Sequence, residues 1–473
     1  MTTSRRPSRP RQPGPPKRRS GPQRPPAQDP PRQAALDALA AVRERDAYVN
    51  LVLPGLLRDR RLTGRDAALA TELCYGTSRA QGLLDAILQV CTDRPLADVD
   101  GELLDALRLG SYQLLRTRVP PHAAVAATVD LVRASRGSGA AGFVNAVLRR
   151  VSRQDEQAWV AQVAPAADDD PVGHLAMTHS HPEWIAQAFA EALAGDREEL
   201  DAALAADDAR PQVHLAARPG EISAEELAAL TGGEPAPYSP YGVHLAEGGD
   251  PGDLPPLRER LAHVQDEGSQ LVTLALTRAP IEGSDTRWLD LCAGPGGKSA
   301  LLGALAATQG AMLDAVEIAE HRARLVDQAC AGLPVTVHVV DGRDSGLPER
   351  SFDRVLVDAP CTGLGALRRR PEARWRRRAT DVPELVRLQR ELLVAALRLV
   401  RPGGVVGYVT CSPHLDETVR VVADVVRRTG AEQVDARALL PEVPALGDGP
   451  QVQLWPHRHG TDAMFCALLR RGG

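Results

Sequence analysis

Two cysteines and one aspartate have the types and spacing needed for covalent chemistry on a base. Asp358 and Cys361 follow one predicted strand, and Cys411 follows the next strand between Thr410 and Ser412. C5 of cytosine is a poor nucleophile until a thiolate adds to C6. A carboxylic group at N3/N4 can stabilise the adduct, and a base must then remove the C5 proton. Two thiols and one carboxylate match these requirements, although spacing alone does not settle which thiol attacks.

A glycine-rich loop from Asp290 to Ser299, DLCAGPGGKS, lies between a predicted strand and a helix, where a bare backbone lets a ligand approach. A Walker A loop needs a glycine six residues before Lys298, but that residue is Cys292. A dinucleotide fingerprint needs a glycine at Ser299. The remaining interpretation is a loop for S-adenosylmethionine, which needs the glycine turn but no phosphate cradle. The residues of this loop between the strand and the helix are Cys292, Ala293, Gly294, Pro295, Gly296, Gly297 and Lys298.

Three acids end successive predicted strands beside this loop. Glu317 can accept hydrogen bonds from ribose hydroxyls, Asp341 can bond an adenine, and Asp358 ends the next strand. Any one of them alone would more often be a turn or helix-capping residue. Their succession beside the glycine loop favours a cofactor that contains a nucleoside.

Alternating strands and helices predict a parallel, doubly wound sheet from about residue 266 onward. Ligands bind such sheets at the carboxyl ends of the strands, where all of these side chains fall. A final antiparallel pair is predicted at 452–454 and 464–469, and Pro402-Gly403-Gly404 is predicted to close a long helix. The predicted parallel strands are 287–291, 312–318, 335–340, 352–357 and 405–410, with helices at 299–306, 320–329 and 383–400.

The chain before this sheet divides into three parts by composition. Residues 1–32 carry eight Arg and one Lys against one Asp, and their prolines predict a disordered basic tail, either a solvated leader or a loose RNA contact. Residues 33–155 show only helical periodicity, with breakers such as Gly137-Ser138-Gly139. Residues 156–265 predict a small α+β connector, and residues 266–473 the catalytic domain.

The composition of the chain excludes several classes of protein. The 473 residues are 43% hydrophobic and 25% charged, and no apolar stretch approaches the ~20 residues of a membrane span. Seven widely spaced cysteines form no disulfide framework and no zinc pattern, which favours free thiols in a reducing compartment. We therefore expect a cytoplasmic globular protein with no membrane contact, no metal and no obligate protein partner. The net charge of −5 combines +8 in residues 1–32 with −13 in the rest of the chain.

Several motifs together resemble the NOL1/NOP2/Sun family of RNA cytosine-C5 methyltransferases, most closely the bacterial RsmB (Sun/Fmu) type that acts on 16S ribosomal RNA. The resemblance covers all of the chain except the tail. In the N-terminal part, LRLGSYQLL and GFVNAVLRR resemble a NusB-like helical RNA-binding domain, and HSHPEWI resembles the connector. In the catalytic part the matching stretches are VQDEGSQLVTLAL, LDLCAGPGGKS, AVEIAEHR, DGRD, FDRVLVDAPCTGLGALRRRPEARW, TCSPH and LWPHRHGTDAMF.

The resemblance implies an all-α NusB-like bundle, an α+β connector and a Rossmann-like class I methyltransferase domain. It implies that Cys411 is the nucleophile and that Cys361 assists proton removal and product release. The loop, Glu317, Asp341 and Asp358 would bind S-adenosylmethionine, and Asp358 would also contact the base. Two positions depart from the commoner pattern: Gly294 stands where many members have Ala, and Glu317 where many have Asp.

A run of arginines follows the loop of Asp358 and Cys361, and it is either a solvated helix face or a phosphate-binding surface. We favour RNA contacts from Arg368, Arg369, Arg370, Arg374, Arg376, Arg377 and Arg378. His457 and His459 suggest structural or RNA contacts rather than a metal site. The alternatives are an RNA-binding or antitermination protein without catalysis, a methyltransferase of another RNA, and a DNA cytosine methyltransferase. The cysteine pair opposes the first of these, and the helical domain with Thr410-Cys411 opposes the last.

Overall fold

The computed structural model describes residues 29–246 and 250–471. Residues 1–28 of the predicted tail lie outside the described residues. Residues 30–32 are helical: the first helix begins at Pro30, and Asp29 caps it by accepting a hydrogen bond from the backbone N–H of Arg32 at 3.2 Å. Among the helices of the described ranges, none is long and apolar enough to cross a membrane.

The N-terminal part is entirely helical, as predicted. Apolar faces of its helices meet in two clusters, one around Leu83, Ile87 and Leu148 and another around Leu53 and Leu73. The last helix bends at Gly137, whose φ of 81° breaks the helical path at the predicted breaker. The five helices are α1 (Pro30–Arg45), α2 (Val49–Asp59), α3 (Gly64–Cys91), α4 (Gly101–Arg116) and α5 (Pro121–Val151).

The connector is a mixed α+β unit, which confirms the predicted class of this segment. Its sheet has the antiparallel order β2-β3-β1-β4, and Ser223 and Glu226 form the predicted capping box of α10. Its helices are α6 (Glu156–Val163), α7 (Pro171–Thr178), α8 (Glu183–Ala192), α9 (Arg197–Asp208), α10 (Ala224–Thr231) and α11 (Pro255–Arg258). Its strands are β1 (Val213–Ala217), β2 (Glu234–Pro235), β3 (Gly242–Leu245) and β4 (Ala262–Val264).

The C-terminal part is built on one large twisted sheet of order β10-β12-β9-β8-β5-β6-β7, with β11 paired to β12. The five predicted parallel strands are neighbours, and the predicted antiparallel partner β12 lies against β9. The strands are β5 (Arg287–Asp290), β6 (Met312–Val316), β7 (Val335–His338), β8 (Phe352–Asp358), β9 (Val400–Thr410), β10 (Glu432–Val434), β11 (Val452–Gln453) and β12 (Phe465–Arg470). The short edge strand β10 has no counterpart in the sequence prediction.

Helices cover both faces of this sheet, and an apolar cluster fills each face. The long helix ends at Leu399, so Pro402-Gly403-Gly404 does not close it; these residues lie in β9, where the register against β8 shifts. The order of the strands reverses between β5 and β8, which is where doubly wound sheets open a crevice for a ligand. The helices are α12 (Glu267–Arg278), α13 (Gly297–Gln309), α14 (Glu320–Ala329), α15 (Ala373–Arg376), α16 (Val382–Leu399), α17 (Val419–Thr429) and α18 (Pro456–His459).

Candidate active site

A cavity of about 440 Å³ opens at the carboxyl ends of β5, β6, β8 and β9. It brings together most of the side chains that the sequence marks for chemistry, because parallel strands end on the same edge of a sheet. Of the predicted residues, it is lined by Cys292, Gly294, Pro295, Glu317, Asp341, Asp358, Cys361, Arg370, Arg377 and Cys411. It is also lined by Tyr48, which belongs to the helical N-terminal part.

The two cysteine thiols face each other in this cavity, with their Sγ atoms 3.5 Å apart. The hydrogen bond from the Cys361 thiol lowers the pKa of Cys411, against burial, which raises it, and Lys298 adds a favourable charge. The same hydrogen bond, followed by burial, raises the pKa of Cys361 well above its usual value. The pair therefore favours a thiolate on Cys411 and a proton on Cys361, which is the distribution of a nucleophile beside a thiol.

Lys298 and Asp358 form an ion pair next to the thiols, with Nζ and Oδ2 2.8 Å apart. Burial opposes the charge on the lysine, but the charge and hydrogen bond of Asp358 outweigh it and raise the pKa of Lys298. Lys298 enters from the first turn of α13 and Asp358 from the last residue of β8. The ion pair therefore links the glycine loop to the start of the loop that carries Cys361.

Contacts with Asp290 and with helix α14 hold the glycine loop in place. Ser299 donates a hydrogen bond to the buried Asp290 at 2.6 Å, and burial raises the pKa of this aspartate to about 7. Gly296 has φ of 112°, and a Cβ there would lie 2.9 Å from Cβ of Ala329 on α14. A side chain at this position would therefore push α13 and α14 apart. Burial also raises the pKa of Cys292, so this cysteine remains a neutral thiol.

Not every predicted loop residue faces the cavity. Ala293 is buried in a small apolar cluster with Ala300 and Val326, and the carbonyl of Gly297 bonds Nε2 of His263 at 3.1 Å. These positions shape the loop rather than line the cavity. Their predicted contact with a cofactor stays a prediction, and the same holds for Gly296.

Glu317 and Asp341 take different positions on the cofactor side of the cavity. Glu317 is buried and accepts hydrogen bonds from the backbone N–H groups of Gly294 at 3.1 Å and Ala319 at 2.9 Å. Asp341 is more exposed, and hydrogen bonds from Arg343 lower its pKa. Both carboxylates have oxygen lone pairs to spare for hydroxyl or amine donors.

A buried carboxylate that the sequence analysis did not single out holds the two cysteine loops together. Glu417 accepts hydrogen bonds from the backbone N–H of Thr362 at 2.8 Å and from the hydroxyl of Ser412 at 2.6 Å. These two donors directly follow Cys361 and Cys411. Gln389 adds a bond to the same carboxylate at 3.1 Å. Glu417 is thus a positioning residue that fixes one thiol relative to the other.

Four of the seven arginines that the sequence assigns to RNA are occupied by partners within the protein, which revises that expectation. Arg368 and Arg369 both pair with Asp266 and Asp462 at distances of 2.6–3.2 Å. Although burial would raise the pKa of Asp266, these arginines and His214 hold it well below its usual value. Ion pairing inside the fold therefore accounts for Arg368 and Arg369.

Arg374 and Arg376 attach the catalytic part to the two parts before it. Arg374 is fully buried and donates hydrogen bonds to the carbonyl of Asp207 at 2.8 Å and the carboxylate of Asp208 at 3.2 Å. Arg376 donates to the backbone carbonyl of Asp46 at 2.8 Å. Burial withdraws the Arg374 guanidinium from phosphate, and backbone carbonyls occupy that of the partly exposed Arg376. The other three, Arg370, Arg377 and Arg378, keep their predicted contact with RNA as a prediction.

The two histidines near the C-terminus bond to protein groups. His457 lies 2.7 Å from a carboxylate oxygen of Glu199, and His459 contacts the carbonyl of Pro444 at 2.9 Å. Both contacts tie α18 to neighbouring elements, so the histidines have structural roles.

The order of the strands, the glycine loop after β5 and the acid after β6 define a Rossmann-like methyltransferase domain. Comparison with protein families agrees with this class. Residues 276–470 match the family of the 16S rRNA methyltransferases RsmB/F, and residues 29–153 match the NusB family. A Pseudomonas putida protein named ribosomal RNA small subunit methyltransferase B is 35% identical, over 86% of this chain and 91% of its own. The chain belongs to this RsmB/Sun family of methyltransferases, which confirms the resemblance.

Two further comparisons extend over almost the whole chain. A Mycobacterium tuberculosis protein named "Putative methyltransferase Rv1407" is 59% identical, over 96% of this chain and 99% of its own. The crystal structure of a protein named PH0851 superposes with a TM-score of 0.77, at 22% identity, over 94% of this chain and 99% of that one. The fold of nearly the whole chain therefore occurs in another protein.

Proposed function

We propose that the protein transfers a methyl group from S-adenosylmethionine to C5 of a cytosine in 16S ribosomal RNA, through a covalent bond between Cys411 and C6. The observation that carries this proposal is the pair of thiols 3.5 Å apart, one with a lowered and one with a raised pKa, beside the glycine loop. Methylation at a hydroxyl or an exocyclic amine needs no such pair, whereas C5 of cytosine needs a nucleophile at C6 and a later proton removal.

The residues at the cofactor side of the cavity fit S-adenosylmethionine. Gly294 lines the cavity without a side chain, and Glu317 and Asp341 offer carboxylates to ribose and adenine donors. When bound, this group supplies an electrophilic methyl carbon. The ion pair of Lys298 and Asp358 acts on Cys411 by its charges and offers a carboxylate to the target cytosine.

The reaction then follows from the positions of the side chains. The Cys411 thiolate adds to C6, C5 takes the methyl group as the methyl–sulfur bond of the donor breaks, and the C5 proton leaves to a base. The C6–S bond breaks last, which restores the aromatic ring and the Cys411 thiolate. Cys361 is the group nearest to Cys411 and assists the last two steps, while Asp358 hydrogen-bonds the N3/N4 edge of the base.

Ribosomal RNA is proposed as the substrate because of the relatives. The proteins from Pseudomonas putida and Bacillus subtilis that match over most of the chain are named as methyltransferases of the small ribosomal subunit RNA. Arg377 and Arg378, whose guanidinium groups have no carboxylate partner among the described residues, add positive charge near the cavity. We also propose the division of the chain at about residues 155 and 265, with the helical part as an RNA-binding domain.

Bisulfite sequencing tests the proposed reaction. We expect one cytosine of 16S ribosomal RNA to resist conversion in cells that have the protein and to convert fully in cells that lack it. Incubating the unmethylated RNA with purified protein and S-adenosylmethionine should restore the signal. A restored signal in another RNA would correct the substrate, and no new 5-methylcytosine in any RNA would contradict the proposal.

The two departures from the family pattern are coupled in the structure. A Cβ on residue 294 would lie 2.3 Å from Oε2 of Glu317 and 2.8 Å from Nε of Arg322, so the glycine makes room for both side chains. Arg322 is partly exposed and can move aside, whereas Glu317 is buried. We expect Gly294→Ala alone to weaken cofactor affinity by about 5- to 100-fold, since overpacking costs roughly 1–3 kcal/mol. The double variant with Glu317→Asp should regain most of that affinity.

Calorimetric titration of S-adenosylmethionine into wild type, both single variants and the double variant gives the coupling free energy directly. Additive effects of the two substitutions would contradict the coupling. Thermal melts of the four proteins without cofactor show whether each variant is folded.

A further inference from the structure

The helical N-terminal part contributes one aromatic side chain to the wall of the catalytic cavity. Tyr48, just before α2, lines the cavity together with Arg370 and Arg377 of the catalytic part. We infer that these three side chains bind a nucleotide next to the methylated cytosine, with the tyrosine ring stacked on its base and the guanidinium groups at its phosphates. The inference rests on the proposed function, because it concerns the RNA at that same site.

The turn that carries Tyr48 is fixed by the catalytic part on both sides. The backbone N–H of Val49 donates to Glu372 at 3.0 Å, and Arg376 donates to the carbonyl of Asp46 at 2.8 Å. Glu372 is buried, so the first of these bonds is shielded from water. The ring is therefore held at the cavity by contacts between two parts of the chain that are more than 300 residues apart.

The charges around the ring differ from those deeper in the cavity. Lys298, Arg322 and Arg343 also line or border the cavity, but each has a carboxylate partner. In residues 29–246 and 250–471, no carboxylate pairs with Arg370 or Arg377. Among the described residues that line the cavity, only the arginines beside the Tyr48 ring carry positive charge that no carboxylate pairs with.

Arg370 and Arg376 both approach the ring of Tyr48, with their Cζ atoms 5.4 Å and 5.0 Å from its centroid. Arg376 is held in place by backbone carbonyls, whereas Arg370 is exposed and makes no side-chain hydrogen bond within the described chain. Arg370 is therefore the guanidinium that can move to meet a phosphate while a base approaches the tyrosine.

An aromatic ring beside unpaired guanidinium groups is the combination that binds single-stranded RNA, since bases stack on the ring and cations meet the backbone. A cytosine whose C5 and C6 are attacked must leave its helix, which also exposes its neighbours. Tyr48 lies on the same cavity as Cys411, so the nucleotide next to the target is the one it would meet. The helical part then takes part in selecting the target at the active site itself.

The test measures steady-state methyl transfer to a 16S RNA transcript by wild type, Tyr48→Leu and Tyr48→Phe. Because Tyr48→Leu removes the ring on which one base stacks, we expect its KM for RNA to rise roughly 5- to 100-fold. The KM for S-adenosylmethionine and the melting temperature should change little, and Tyr48→Phe, which retains the ring, should restore most of the RNA affinity. A merely structural role would move the melting temperature or both KM values together.

A matched pair of arginines tests the phosphate contact. Arg377→Gln should lower the slope of log affinity against log salt by about 0.7, the share of one phosphate on a single strand. The control is Arg427→Gln on α17, because Arg427 is an exposed arginine that pairs with Asp424 and does not line the cavity; this variant should change the slope less. The inference is overturned if Tyr48→Leu keeps the wild-type KM for RNA, or if the two arginine variants have equal effects. If wild type itself fails to methylate RNA, the proposed function fails instead.

Discussion

Replacing Cys411 with alanine is expected to abolish methyl transfer, by a factor on the order of 10⁴ or more, because the alternative is direct attack by an unactivated C5. Of the two paired cysteines in the cavity, Cys411 is the one whose pKa is lowered. Transfer of a tritiated methyl group from S-adenosylmethionine to 16S RNA measures the loss. Calorimetric titration of the cofactor should give an affinity within a few-fold of wild type, since the glycine loop is untouched.

The matched control is Cys466→Ala. Cys466 is also buried in the large sheet, where it pairs with Val409, but it does not line the cavity. This variant removes a thiol from the same sheet and should retain activity. Activity near wild type in Cys411→Ala would refute the assignment of the nucleophile, and loss of activity in both variants would point to packing.

Replacing Cys361 with alanine is expected to give an enzyme that methylates once and then stops. Attack by Cys411 does not need a second thiol, but resolution of the adduct does if Cys361 assists proton removal and release. Loss of such acid–base assistance costs roughly 10²–10⁴-fold in rate. In a single-turnover experiment with excess protein, we expect close to one methyl group per RNA. With excess RNA, we expect turnover to fall to a small fraction of the wild-type rate.

The pH dependence of that single turnover gives an independent check. The hydrogen bond from Cys361 lowers the pKa of Cys411, so its removal should raise that pKa and move the acid limb of the rate to higher pH. An unchanged acid limb together with normal turnover would show that Cys361 is only a packing residue.

The sheet could be predicted from the sequence because its signals are local. Short apolar stretches mark β5, β6, β8 and β9, and an acidic or polar residue stands at the end of each strand or directly after it. Since parallel strands share one edge, the positions of Glu317, Asp358 and Cys411 then follow from topology alone. The short strand β10 of three residues has no comparable pattern, and its place depends on pairing with β12.

Two residues of the site, Glu417 and Tyr48, could not be found from the sequence because they reach the site through contacts between residues far apart in the chain. Glu417 follows no strand and is recognised only because Thr362 and Ser412 donate to it from two different loops. Tyr48 precedes Cys361 and Cys411 by more than 300 residues, so no spacing rule connects it to the cavity.

The arginine run makes contacts within the protein that the sequence does not reveal. A cluster of positive charge predicts a surface for RNA, yet Arg374 is fully buried and bonds to Asp207 and Asp208 of the connector. Sequence does not reveal acids that meet an arginine through folding. Charge counts therefore overestimate the surface available to phosphate here.

The most direct test of the covalent mechanism is a denaturing gel of labelled 16S RNA incubated with S-adenosylmethionine and either Cys361→Ala or Cys411→Ala. We expect a shifted protein–RNA band with Cys361→Ala, which keeps the attacking thiol, and none with Cys411→Ala. The reverse pattern, with the adduct on Cys411→Ala and none on Cys361→Ala, would contradict the assignment of the two thiols. The absence of an adduct from both inactive variants would contradict the covalent route.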